Sequence, residues 1–285
     1  MSPHTLQEPI SLLMVDTSVP NSVSLITGAA SGIGRHLAIH ASNLGHDVVL
    51  IDLDANGLDE TKKLCSKAET FCIDVGNYVQ MLEVKEALDK KNINVNYLFN
   101  NAGIFIEGRS WKTSPEMWNK IISTNLVGIT NVLNVFLDQM INTDIKGHIV
   151  NTASMAGVIV GGFLAPYTAT KHAVVGLSRS LYEELKETNA NIGVSVLCPG
   201  VVQSQIIENE RPLLEINQDD LDEDENAKLM KTMLSEGVRN GLEPSVVAER
   251  VFEAIDKEEF WIFTHQEFAD TYKEYSQEIL DSMNS

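Results

Sequence analysis

Val23-Ser24-Leu25-Ile26-Thr27, a short buried-strand pattern, runs directly into Gly28-Ala29-Ala30-Ser31-Gly32-Ile33-Gly34. An apolar stripe at helical spacing (Ile33, Leu37, Ala38, Ala41, Leu44) begins inside that loop and stops near Gly45. Strand, glycine loop and helix in immediate succession suit a phosphate cradle. Glycines let the backbone approach a pyrophosphate, and the helix N-terminus offers free N–H groups carrying a partial positive charge. The spacing, G-x-x-x-G-x-G, departs from the commoner G-x-G-x-x-G dinucleotide fingerprint.

The same alternation continues along the chain. Val48-Val49-Leu50-Ile51 is a second apolar strand, ending on Asp52. An acidic residue roughly 20 positions past a glycine loop can accept hydrogen bonds from an adenosine ribose. Asp52 would repel a 2′-phosphate, and Leu53 supplies no neighbouring cation, so NAD is expected over NADP. Asp52 also suits capping the next helix, and Arg35 suits either a salt bridge or a phosphate. Thr70-Phe71-Cys72-Ile73 reads as a third strand, with Asp74-Val75 at its end. Tyr97-Leu98-Phe99 is a fourth and leads into Asn100-Asn101-Ala102-Gly103. In an open parallel sheet ligands bind beyond the carboxyl ends of the strands, which is where that tetrapeptide lies.

Glu116 to Met140 carries one long helical pattern behind Pro115, a residue suited to a first helical turn. Asn125 interrupts its apolar stripe; a buried amide requires partners, so it is a satisfied core group or part of a site. Gly147 to Asn151 begins a fifth strand, which ends in Thr152-Ala153-Ser154; Ile192 to Leu197 is a sixth and Phe260 to Phe263 a seventh. The alternation implies a single α/β domain, a doubly wound, mainly parallel seven-stranded sheet with helices on both faces. It spans residues 21–285, behind an extension at residues 1–20.

Between the fifth and sixth strands, Tyr167-Thr168-Ala169-Thr170-Lys171 opens a long amphipathic helix reaching Lys186. A spacing of four sets phenol and ammonium on one helical face. A tyrosine near pKa 10 needs about 4 kcal/mol to titrate near neutrality. One positive charge about 4 Å away supplies roughly that at an effective dielectric near 20. Such a phenol can take a proton from an alcohol while hydride leaves the carbon, or return one to a ketone.

Together these residues resemble the short-chain dehydrogenase/reductase family across about residues 21–265. The likeness rests on Thr27-Gly28-x3-Gly32-x-Gly34, Asp52, Asp74-Val75, Asn100-Asn101-Ala102-Gly103, Asn125, Ser154, Tyr167-x3-Lys171 and Pro199-Gly200. It implies a Rossmann-type fold with Tyr167 as acid/base and Ser154 hydrogen-bonded to the substrate oxygen. Lys171 would hold the nicotinamide ribose and depress the tyrosine pKa, and Asn125 would anchor a relay water. The cofactor would meet Gly28, Ser31, Gly32, Ile33, Gly34, Asp52, Leu53, Asp74, Val75, Asn101, Ala102, Gly103, Pro199, Gly200, Val202 and Ser204. Ser204, where the family commonly has threonine, is a mild departure. No metal is implied.

Composition narrows the partners. The net charge of −19 argues against nucleic acid and anionic lipid. Three scattered cysteines suit a reducing compartment, and neither a signal peptide nor an unbroken run of 18 apolar residues is present, so a cytoplasmic protein is expected. Residues 202–245 break the rhythm as a candidate substrate-lid insertion. Within it, Glu208 to Glu225 holds nine carboxylates against one arginine and reads as solvated surface. Ala227 to Leu234, with Leu229, Met230, Met233 and Leu234 apolar, reads as a short amphipathic helix that could fold over the site. Apolar residues near the site (Ile104, Phe105, Ile106, Val158 to Leu164) favour a lipophilic secondary alcohol or ketone. A carrier-bound 3-oxoacyl substrate is the alternative, which the acidic segment disfavours. A non-catalytic cofactor-binding protein would have lost a catalytic residue, and all four positions are filled. The long helices bearing Asn125 and following Tyr167 suit a homodimer or homotetramer.

Overall fold

The computed structural model describes residues 22–143, 145–188, 190–204, 206–207 and 225–285. The expected extension at residues 1–20 and all but the last residue of the acidic 208–225 segment lie outside them.

Seven strands form one wholly parallel sheet: β1 (Val23–Thr27), β2 (Asp47–Asp52), β3 (Ala68–Cys72), β4 (Tyr97–Asn100), β5 (Gly147–Thr152), β6 (Ile192–Cys198) and β7 (Trp261–Phe263). Their order is β3-β2-β1-β4-β5-β6-β7. Pairing is in parallel register throughout, Leu25 lying beside both Val49 and Leu98. The order reverses between β1 and β4, which opens a crevice beyond their carboxyl ends.

Central strands are apolar on both faces because helices cover both. On one face α1 (Gly32–Asn43), α2 (Ala55–Lys63) and α8 (Pro244–Asp256) bury Leu37, Leu58, Val251 and Phe252 over Ile26, Leu50 and Phe99. On the other, α3 (Tyr78–Lys90), α5 (Gly128–Asn142) and α6 (Ala165–Glu187) bury Met81, Phe136 and Val174 over Leu25, Val49 and Leu98. Helix starts follow sequence chemistry. Asn77 accepts from the N–H groups of Val79 and Gln80 to cap α3, and Ser114 caps α4 (Pro115–Ile122) with Pro115 in its first turn. Asp54, and not Asp52, caps α2 by accepting from Asn56 N–H.

The pattern expected as one helix from Glu116 to Met140 runs from Pro115 to Asn142, but it is not uniformly α. Ser123–Val127 forms a π-helical turn between α4 and α5, and the Gly128 N–H returns to the Ser123 carbonyl five residues back. A Cβ on Gly128 would stand 2.6 Å from Val75, so glycine admits this close packing. The segment is long and apolar enough to cross a membrane by length and composition alone, yet half of its most apolar window is buried in the fold. Among the described residues the remaining α-helices are α7 (Glu225–Arg239) and α9 (Ala269–Met283).

Candidate active site

The carboxyl ends of β1, β2, β4, β5 and β6 open onto a cavity of about 390 Å³. Its floor is the loop after β1. Gly28 and Gly32 have φ of +67° and +50°, where side chains are strained, and a Cβ on Gly28 would stand 2.9 Å from Ala102. A Cβ on Gly34 would fall 2.0 Å from the Gly28 carbonyl, so the first turn of α1 can pack there only as glycine. The loop is pinned from β4 through Thr27, whose Oγ1 accepts from the N–H groups of Asn101 and Ala102, each at 3.0 Å.

At one end of the cavity lies Asp52. Its Oδ2 accepts from Ala30 N–H at 2.9 Å and its Oδ1 from Asp54 N–H at 3.1 Å. Burial pushes the Asp52 carboxyl above its ordinary range, while these backbone donors pull it back. Asp54 lines the same wall, so this end presents two carboxylates. Arg35 turns away from it, pairing with Glu60 at 2.8 Å and donating to Thr61 Oγ1 at 3.0 Å. The salt-bridge reading of Arg35 holds.

At the other end stand Ser154, Tyr167 and Lys171. Ser154 Oγ accepts from Ala156 N–H at 3.1 Å, capping a short 3-10 turn (Met155–Gly157). That bond uses a lone pair and leaves the hydroxyl proton to be donated. Lys171 is buried, donates to the Thr152 carbonyl at 2.9 Å, and places Nζ 5.5 Å from the centre of the Tyr167 ring. Phe105 packs against Tyr167 with ring centroids 4.9 Å apart. Asn125, wholly buried in the π-helical turn, accepts from Ile104 N–H at 2.8 Å and donates to the Ile104 carbonyl and to Thr170 Oγ1. It is a satisfied core amide that also braces the strand end beside the site.

The cavity brings together Gly28, Ser31, Gly32, Ile33, Asp52, Asn101, Gly103, Ser154, Tyr167, Lys171, Pro199, Gly200, Val202 and Ser204 from six stretches of chain. Gly34, Leu53, Asp74, Val75, Ala102 and Asn125 do not line it. Leu53 faces outward at 38 % exposure, Asp74 pairs with Lys120 at 3.2 Å, and Val75 is buried with its carbonyl accepting from Asn131. Of the apolar residues expected at the site, Phe105, Ile159, Val160 and Leu164 line it, whereas Ile104 and Ile106 pack with Met117 and Ile121. On α7, the cavity is lined by Leu234 and Val238, not by Met230 or by the exposed Met233. Sequence patterning alone misses Asp54, Phe268 and the Thr152 carbonyl. Only Asp54, an N-cap type two residues past Asp52, left a signal in the sequence.

The cradle suits a dinucleotide. Its floor is a glycine-rich turn at the start of a helix, two carboxylates face one end, and an ammonium lies beside the phenol at the other. Known proteins bear on this geometry. A sequence model described as short chain dehydrogenase matches residues 22–214. A CLA biosynthesis dehydrogenase/reductase of Lactiplantibacillus plantarum is 30 % identical over 255 residues, 87 % of this chain and 89 % of that protein. Estradiol 17-beta-dehydrogenase 11 of Mus musculus is 32 % identical over 197 residues, 67 % of this chain and 66 % of that protein. The crystal structure of a short chain dehydrogenase/reductase from Burkholderia phymatum in complex with NAD superposes with a TM-score of 0.84 at 32 % identity, covering 92 % of this chain and 95 % of that one.

Proposed function

The chain belongs to the short-chain dehydrogenase family and is an oxidoreductase, and on that premise we propose that it uses NAD to interconvert a lipophilic secondary alcohol and its ketone. The observation that carries this reading is the placement of Ser154, Tyr167 and the buried Lys171 at one end of a glycine-floored cavity whose other end presents Asp52. The similar Burkholderia protein was crystallised with NAD, which supports the cofactor choice.

Bound NAD supplies the hydride acceptor, and this chain's residues manage the proton. The Ser154 hydroxyl donates to the substrate oxygen and fixes it beside the phenol. Tyr167 takes the proton as the carbon–oxygen bond gains double-bond character, and returns it in the reverse direction. Lys171 favours phenolate through its charge, and its bond to the Thr152 carbonyl keeps the ammonium in place. Asn125 holds Ile104, and with it the β4 end, through both its amide atoms, and the second lone pair of its Oδ1 is left for the relay water.

The substrate end is apolar: Phe105, Ile159, Val160, Leu164, Leu234 and Phe268 contribute to its walls. Leu234 and Val238 come from α7, within the 202–245 insertion, and this supports a lid that closes on a lipophilic molecule. We place the activity in the cytoplasm, in a homodimer or homotetramer. The free thiols of Cys65, Cys72 and Cys198 support a reducing compartment.

The test is NADH formation, followed by absorbance, against secondary alcohols graded from polar polyols to steroid and terpenoid alcohols, with a 3-oxoacyl thioester run in the reducing direction. Turnover that rises with apolar surface supports the reading. Turnover confined to the thioester would replace it with the carrier-bound alternative.

A further inference from the structure

Resting on the cofactor reading above, we propose that His265 is a positioning residue for the nicotinamide end of the site, clamping the Gly200-Val201 backbone that forms its wall. The imidazole lies just past β7, yet both ring nitrogens engage the loop after β6. Nδ1 faces Gly200 N–H at 3.2 Å, and Nε2 faces the Val201 carbonyl at 3.1 Å. A backbone N–H can only donate and a carbonyl can only accept, so these two partners fix the tautomer: Nδ1 accepts and Nε2–H donates. Thr264 Oγ1, 2.7 Å from Nδ1, is oriented by the same acceptor and also meets Gly200 N–H at 3.4 Å.

Contact between ring and loop is close. A Cβ on Gly200 would stand 2.6 Å from His265 Cγ, so the ring occupies the space a side chain there would need. The Val201 carbonyl also accepts from Leu242 N–H at 2.9 Å, so two donors from different stretches of chain hold the same oxygen. Pro199, Gly200, Val201 and Val202 line the cavity. Phe268, whose ring centroid lies 6.1 Å from that of His265, lines it too. One side chain therefore couples two parts of the wall, Gly200 and Phe268, that are 68 residues apart in the chain. His265 itself does not line the cavity, so its effect passes through the backbone it holds.

The experiment compares NADH dissociation constants, read from cofactor fluorescence, for the unsubstituted chain, His265→Phe, His265→Asn and His265→Gln. Phenylalanine keeps a ring against Gly200 and Phe268 and removes both bonds. Asparagine retains an acceptor near Nδ1, and glutamine a donor near Nε2. Expected is a loss of affinity on the order of tenfold in His265→Phe, with at least one amide variant recovering to within about threefold of the unsubstituted chain. The KM for NAD should rise while that for the alcohol stays level, a split that general loosening of the fold would not give. Unchanged NADH affinity in a folded His265→Phe overturns the role of His265 alone. If His265→Phe does not fold, His265→Ala, which also removes both bonds, takes its place, and undiminished NADH affinity in it overturns the role. An unsubstituted chain that binds no NADH overturns the cofactor reading, and this inference falls with it.

Discussion

Lys171 Nζ lies 5.5 Å from the centre of the Tyr167 ring, one turn further along α6, and donates to the Thr152 carbonyl at 2.9 Å. The bond anchors a buried ammonium that would otherwise carry a heavy desolvation cost. Tyr167→Phe removes the proposed proton carrier but leaves the aromatic contact with Phe105. Turnover should fall by about 10³-fold with NADH still bound. Lys171→Ala should lower both turnover and NADH affinity, because it removes the charge and leaves the Thr152 carbonyl unpaired. Steady-state kinetics beside fluorescence titration separates the two, and a Tyr167→Phe variant of undiminished turnover would refute the assignment.

Asp52 closes one end of the cavity, the proposed ribose end, and holds the glycine loop through Ala30 N–H at 2.9 Å. Alanine there would confuse the two roles. Asp52→Asn keeps an acceptor for Ala30 and removes the charge that opposes a 2′-phosphate. The NADP-to-NAD ratio of kcat/KM should rise on the order of tenfold, and further when Asp54→Asn is added, asparagine being an equally good cap for α2. A ratio that stays put, or an unsubstituted enzyme that already prefers NADP, would contradict the role given to Asp52.

What the sequence made legible was local. The glycine loop, the strand ends and Tyr167-x3-Lys171 are short patterns whose neighbours in sequence are also their neighbours in space. The π-helical turn at Ser123–Val127 left no trace, because one widened turn barely shifts an apolar stripe that continues on both sides. Leu234 belongs to the apolar stripe expected over the site, but Val238, one turn beyond it, was hidden for a different reason. Amphipathic spacing finds a helix's apolar stripe, but which part of it meets the cavity depends on how the helix docks. His265 was invisible because its partners, Gly200 and Val201, reach it only once β7 has paired with β6.

Gly103 separates two polar groups at the site. A Cβ there would stand 3.4 Å from Asn125 Oδ1 and 3.4 Å from Lys171 Nζ. Gly103→Ala would therefore narrow the space a relay water would need. Turnover should drop on the order of tenfold, with NADH affinity held within about threefold. Slower turnover accompanied by a larger solvent isotope effect would support a proton path through this gap. Unchanged turnover would place the path elsewhere.

His148 gives a pH signature independent of catalysis. It is buried on β5, with Nε2 2.7 Å from Ser195 Oγ, and Ser195 spends its own proton on the Glu259 carbonyl at 2.6 Å. Nε2 must then be the donor, which leaves Nδ1 as the site that protonation would charge. Burial, with the nearby Lys146 charge adding to it, pushes this imidazole down to about 3. An unfolded chain takes up the proton near pH 6.5, and the folded one does not until far lower. The unfolded state therefore binds more protons between those values, and stability falls as pH drops through 6.5. By pH 5 the loss from this residue should be about 2 kcal/mol. Denaturant unfolding at pH 7 and pH 5 measures it, and His148→Gln, which keeps a donor for Ser195, should be less stable at pH 7 but lose less on acidification. His40 and His46, also lowered by burial, sustain part of the slope in that variant. A slope identical in the two proteins would mean that His148 takes up its proton without unfolding.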